Sequence, residues 1–140
     1  MAPAPSASPR PAADAPDPSP RTRPVAAILL GCETGVLILA AGYCIVAVTG
    51  GLIAGRFGIA LAVFLLLFAA ATGLAARSVL ASGRFGLGFG ITWQFFQALV
   101  AASMLRGGLY WQGGIALALA IATFVQLTRL VRSTPLPGAD

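Results

Sequence analysis

The sequence predicts an all-α membrane protein, a four-span transmembrane helical bundle of up-down-up-down order with both termini cytoplasmic. Three observations predict it. Of the 140 residues 58% are hydrophobic and only 9% charged, whereas soluble domains carry about 25% charged residues. The apolar residues gather into four runs, each near the roughly 20 residues that cross a hydrocarbon core of about 30 Å. The basic residues, all arginine, fall at the ends of those runs, where a spanning helix tolerates charge.

Residues 1–24 contain eight prolines with small and polar residues. Such a segment buries too little surface to offset the entropy of ordering it, so a disordered cytoplasmic tail is expected. The membrane domain is expected over 25–130. Its first span, Val25 to Thr49, is too long for the apolar core of a cleaved signal peptide. It contains eleven Val, Ile or Leu residues, whose insertion energies outweigh the cost of about 2 to 3 kcal/mol for the one carboxylate among them, Glu33. The glycine-rich link Gly50 to Arg56 leads to the second span, Phe57 to Ala76, which closes on Arg77. The third span, Phe85 to Leu105, mixes glycines with Trp93, Gln94, Gln97 and Ser103. Gly107 and Gly108 make a turn, and the fourth span, about 109–128, opens with Tyr110 and Trp111 at the place of an interfacial aromatic anchor. Residues 131–140 are expected to form a second cytoplasmic tail.

Four spans put both termini on one side. That side holds Arg10, Arg21, Arg23, Arg77, Arg84, Arg129 and Arg132; the other holds Arg56 and Arg106. Arginine excess in short loops marks the cytoplasmic face. The short connections make consecutive spans antiparallel neighbours.

Glu33 is the only acidic residue between Pro18 and Ala139. It enters the membrane to about the same depth as Gln94, since both lie eight or nine residues inside spans that start on the same face. Glu33, Gln94 and Gln97 therefore form the candidate intramembrane polar site, with Thr72 and Thr123 in the same half. Gly31 and Gly35 make a GxxxG pair on the first span, and Gly86 and Gly90 make another on the third. Small residues four apart let helices approach closely. The expectation is that the first and third spans pack on these glycine faces, with Glu33 against Gln94. An ion or proton site and a structural polar contact are both open readings of Glu33.

The chain has no histidine, so the common general-base, zinc and haem constellations are missing and no cofactor or metal site is expected. Cys32 and Cys44 are separated by roughly 18 Å along one helix, too far for a disulfide. The arginines form no patch of the kind nucleic acid requires. An enzyme is not expected.

Two resemblances follow from these residues. The first span, AILLGCETG with its glutamate, is similar to the first helix of the small multidrug resistance transporters, which implies proton-coupled transport through Glu33. The region from Ala26 to Arg129, with Gly83-Arg84-Phe85, Gln94 and the Gly107-Gly108 turn before Tyr110 and Trp111, resembles small four-helix integral membrane proteins of actinobacteria. That resemblance implies a bacterial plasma-membrane address and no known chemistry. The expected function is that of a non-enzymatic accessory or interaction subunit of a membrane complex, whose partners are the lipid bilayer and another membrane protein or a second copy of the chain. The alternative is a small proton-coupled transporter using Glu33.

Overall fold

The structure, a computed structural model, describes residues 19–133. The tails expected before residue 19 and after residue 133 lie outside the described residues. Four helices make up the fold: α1 (Thr22–Thr49), α2 (Gly55–Leu80), α3 (Arg84–Arg106) and α4 (Tyr110–Ser133). All four are long and apolar enough to cross a membrane, and no strand occurs among the described residues. The chain is thus built as a multi-pass membrane protein.

Each helix exceeds its expected span, for identifiable reasons. α1 begins three residues before Val25 because Pro24 sits in the first turn, where its missing N–H has no helical acceptor to lose. α2 continues past Arg77 to Leu80; a charge at a helix end does not break a helix. What stops it is Ser82, at φ 59°. There Ser82 N–H donates to the Val79 carbonyl and Gly83 N–H to Ser78, a left-handed C-terminal cap normally assigned to glycine. Gly51 and Gly108 (φ 72° and 82°) end α1 and α3 the same way, with Leu52 N–H reaching Ala47 and Leu109 N–H reaching Met104. α4 runs through Arg129 and Arg132 to Ser133. The start of α3 has no side-chain cap of its own. Instead the Ser78 hydroxyl of α2 accepts from Gly86 N–H at 3.0 Å.

The most extensive packing joins α1 to α2 and α3 to α4, with smaller contacts between α2 and α3 and between α1 and α4. The helices form a ring in chain order, and α1 and α3 stand diagonally opposite. This corrects the expected packing of the first span on the third: short links make sequential helices neighbours, which leaves that pair on the diagonal. At the end where Arg77, Arg84 and Arg129 lie, all four helices share a core of Ala26, Ala27, Leu30, Ala75, Val79, Leu87, Leu127 and Leu130. At the opposite end packing runs within pairs. Ala41 and Cys44 meet Ala62 between α1 and α2, while Gly113 of α4 lies so close to the Ala101 carbonyl of α3 that a Cβ there would stand 2.9 Å from it.

The outer surface is apolar. Leu39, Leu67, Leu99 and Ile115, one on each helix, are 75%, 66%, 68% and 65% exposed. Glu33, Thr72, Gln94 and Thr123 are held inside, the reverse of a water-soluble bundle and the arrangement a hydrocarbon solvent favours.

Candidate functional site

The interior polar groups lie on one level of the bundle. Glu33 is 2% exposed, Gln94 2%, and Thr72 and Thr123 are fully buried. Gln94 Nε2 of α3 donates to Glu33 Oε2 of α1 at 3.0 Å. Glu33 Oε1 lies 3.0 Å from Thr123 Oγ1 of α4. The contact between α1 and α3 across the diagonal is therefore made by two long side chains and not by close backbones. One residue further along α1, Thr34 turns about 100° away and meets Thr72 of α2, with the two hydroxyl oxygens 2.9 Å apart. α1 is thus tied at a single level to all three other helices, by Glu33 toward α3 and α4 and by Thr34 toward α2.

The hydroxyl oxygens of Thr34, Thr72 and Thr123 lie 2.9 Å from the Leu30, Phe68 and Leu119 carbonyls of their own helices as well. This i−4 bonding hides a hydroxyl from hydrocarbon when no other partner is in reach. Each hydroxyl has one hydrogen, so of Thr34 and Thr72 one donates to its own helix and the other donates across to its partner.

Trp93 is 6% exposed and heads an aromatic array. Its ring stacks on Phe68 at 5.0 Å and 29°, and Phe89 and Phe96 lie at 6.4 and 5.4 Å. Its indole N–H lies beside the Glu33 carboxyl but makes no hydrogen bond, and Gln94 Oε1 is likewise buried without a partner.

The structure does not bring every candidate residue to this site. Gln97 is directed elsewhere; its Nε2 donates to the Ala116 carbonyl at 3.1 Å and holds α3 on α4. Gly86 and Gly90 are packing positions, but against other helices than expected. A Cβ on Gly86 would fall 2.5 Å from the Ala75 carbonyl of α2, and one on Gly90 would fall 2.7 Å from Leu127 Cδ1 of α4. Gly31 and Gly35 have nothing within 4 Å of a Cβ position, so among the described residues they contact no neighbouring helix. The reason is rotational: Glu33 lies two residues, about 200°, from each of them, and when the carboxyl turns inward both glycines turn out.

Sequence reasoning missed Thr34, Gly58 and Gly113. Gly58 sits under Val48 and the Cys44 carbonyl of α1. For Thr34 a signal existed in its place next to Glu33. Among the described residues no group of three or more His, Cys, Asp or Glu side chains could hold a metal, and Cys32 and Cys44 are both free thiols. No family model, curated protein or solved structure matches the chain.

Proposed function

We propose that the chain is a non-enzymatic accessory or interaction subunit of a membrane complex, embedded in a bacterial plasma membrane with both termini cytoplasmic. One observation carries this reading: the Glu33 carboxyl, the residue on which transport chemistry would depend, has both oxygens engaged inside the fold, while the Gly31 and Gly35 face of the same helix stands open.

The cost of a carboxylate at this depth supports a neutral structural role for Glu33, and the contacts around Thr123 can accommodate it. A hydroxyl has one hydrogen, and Thr123 Oγ1 has two oxygens near it, the Leu119 carbonyl at 2.9 Å and Glu33 Oε1 at 3.0 Å. With that hydrogen on Glu33 Oε1, the carboxyl accepts as a carboxylate; with the hydrogen on Leu119, the second contact takes a donor on Glu33. A protonated carboxyl supplies it: Glu33 Oε1–H donates to Thr123, Thr123 donates to Leu119, and Gln94 donates to Glu33 Oε2. Every bond in the chain then has one hydrogen, and no net charge lies in the hydrocarbon, where it would cost about 2.5 to 3.5 kcal/mol or more.

Orientation follows from the arginines. Arg21, Arg77, Arg84, Arg129 and Arg132 lie at one end of the ring of helices and Arg56 and Arg106 at the other, and the richer end is assigned to the cytoplasm. The alternative reading, a small proton-coupled transporter, requires Glu33 to exchange its proton with water during a cycle, which in turn requires α1 to part from α3 and α4.

Affinity purification of the tagged protein from native membranes in mild detergent, with mass spectrometry, tests the proposal. The expected result is a stoichiometric membrane-protein partner that is lost when Gly31 and Gly35 are both changed to Leu. A partner-free homodimer that releases protons on adding hydrophobic cations would instead establish the transporter.

A further inference from the structure

The end of the bundle that carries Arg77, Arg84 and Arg129 holds more positive charge than the chain can neutralise. Seven of the nine arginines belong to it, and so do the three aspartates, Asp14, Asp17 and Asp140, in the segments that lead into α1 and out of α4. Seven against three leaves four positive charges without a counter-ion even if every one of those carboxylates is paired. Glu33, the only acidic side chain among the described residues, is buried in the bundle interior.

Two of these arginines stand inside their helices and not at the tips. Arg77 lies three residues before the end of α2 and Arg129 four before the end of α4, roughly 5 and 6 Å of rise. Both are exposed, and apolar side chains flank them on the same helix face. Leu74 and Leu80, three residues to either side of Arg77, are 61% and 59% exposed, and Val125, four residues before Arg129, is 39% exposed. Arg132, three residues after Arg129, is exposed too; like charges at that spacing repel, and an anion between them removes the repulsion. A ligand that suits this surface carries a negative group for the guanidinium and an apolar chain for the residues beside it. A soluble anion supplies only the first. A phospholipid supplies both, with the arginine stem along its acyl chain and the planar head on its phosphate. A zwitterionic lipid brings its own cation and leaves the surplus in place, so the lipid is one of net negative charge.

We propose that this end of the bundle is a binding surface for anionic phospholipid, with Arg77 taking one headgroup phosphate and Arg129 with Arg132 taking another. α2 and α4 stand diagonally opposite in the ring, so the two places are separate. The proposal needs only that the bundle cross a membrane; it is independent of the partner proposed for the Gly31 and Gly35 face and of the protonation of Glu33.

Native mass spectrometry tests it on the full chain released from nanodiscs that hold equal amounts of phosphatidylglycerol and phosphatidylcholine with the same acyl chains. Retained phosphatidylglycerol is expected to exceed phosphatidylcholine by about fivefold or more, the worth of one arginine at a membrane surface. Arg77→Gln combined with Arg129→Gln changes two exposed positions, where substitution leaves the fold intact, and should lower that ratio about fivefold while the circular dichroism is retained. Arg56→Gln combined with Arg106→Gln removes the same charge from the other end, from residues at helix tips, and should leave the ratio within about twofold. Arg77→Lys with Arg129→Lys keeps the charge and should keep most of the preference. Equal retention of the two lipids, a preference that survives the Arg77 and Arg129 glutamine changes, or the same loss from both glutamine pairs would overturn the proposal. Displacement of the retained lipid by glycerol phosphate would overturn it as well, by marking a site for a soluble anion.

Discussion

α1 and α3 each carry a pair of glycines four residues apart and one polar side chain that reaches the bundle interior, and the two pairs have opposite fates. On α3, Gly86, Gly90 and Gln94 follow one another at intervals of four, so each lies about 40° from the last. All three point inward: Gly86 under the α2 backbone, Gly90 under Leu127 and Gln94 against Glu33. On α1 the polar residue stands between the glycines, about 200° from either, and inward burial of Glu33 turns Gly31 and Gly35 outward. The same GxxxG spacing is an internal contact on one helix and a free face on the other. What decides is the angular place of the residue that cannot be left in lipid.

The largest effect that this contrast predicts is at Gly86. A Cβ there meets two backbone atoms, the Ala75 carbonyl at 2.5 Å and the Val79 nitrogen at 2.8 Å, and neither can rotate aside. Gly86→Val should cost about 3 kcal/mol or more, at or beyond the upper end of overpacking penalties, and should be read as lost monodispersity and a collapsed thermal midpoint in detergent. An unchanged midpoint would mean that α2 and α3 do not approach as closely as described.

Next comes Glu33→Ala, which leaves Gln94 Nε2 without its acceptor and opens a cavity at the centre of the ring. The expected loss is about 2 to 4 kcal/mol. Glu33→Gln should lose less than about 1 kcal/mol, because an amide can donate to Thr123 and accept from Gln94 as the neutral acid does. Denaturant or thermal unfolding of the two variants side by side gives the comparison, and equal losses would remove the neutral-acid account.

Gly90→Ala should cost less, on the order of 1 kcal/mol, since the atom it meets is the end of the Leu127 side chain, Cδ1 at 2.7 Å, which can turn away. Smallest is the pair on α1. Gly31→Ala and Gly35→Ala meet nothing within 4 Å and should leave the stability of the isolated protein unchanged or raise it by up to about 1 kcal/mol each through helix propensity. If either lowers it as much as Gly90→Ala does, the glycine face of α1 is packed within the chain after all.

Much of the fold was legible because its determinants are local. Runs of apolar residues set the number of helices, and turn glycines at 51 and 108 set two of the three stops. The third stop was not legible, since Ser82 takes a left-handed conformation that its residue type does not announce, and the helix reads through Arg77 to reach it. At the site, depth arithmetic was enough to put Glu33 level with Gln94, for the rise per residue is nearly constant. Rotation was the weaker quantity. The angle of about 200° between Glu33 and its flanking glycines is in the sequence and is incompatible with turning both features to one neighbour. Gln97 shows a related limit: it shares a face with Gln94 by spacing, but which acceptor it finds depends on the α4 backbone at Ala116. Gly58 and Gly113 lie at helix starts, where glycine also reads as a link residue, and only the facing Val48 and Ala101 show them to be points of close approach.

The role proposed for Glu33, a sequestered and neutral tie between helices, is open to a direct measurement. Glu33 is the only glutamate in the sequence, so a carbon-13 label on the glutamate side-chain carboxyl reports it alone once glutamine is supplied unlabelled. NMR of that carbon in nanodiscs, from mildly acidic to mildly alkaline pH, should give the shift of a protonated carboxyl that does not move while the protein stays folded. A carboxylate shift, or one that titrates between the two within that range, would contradict the account and make Glu33 a working proton site.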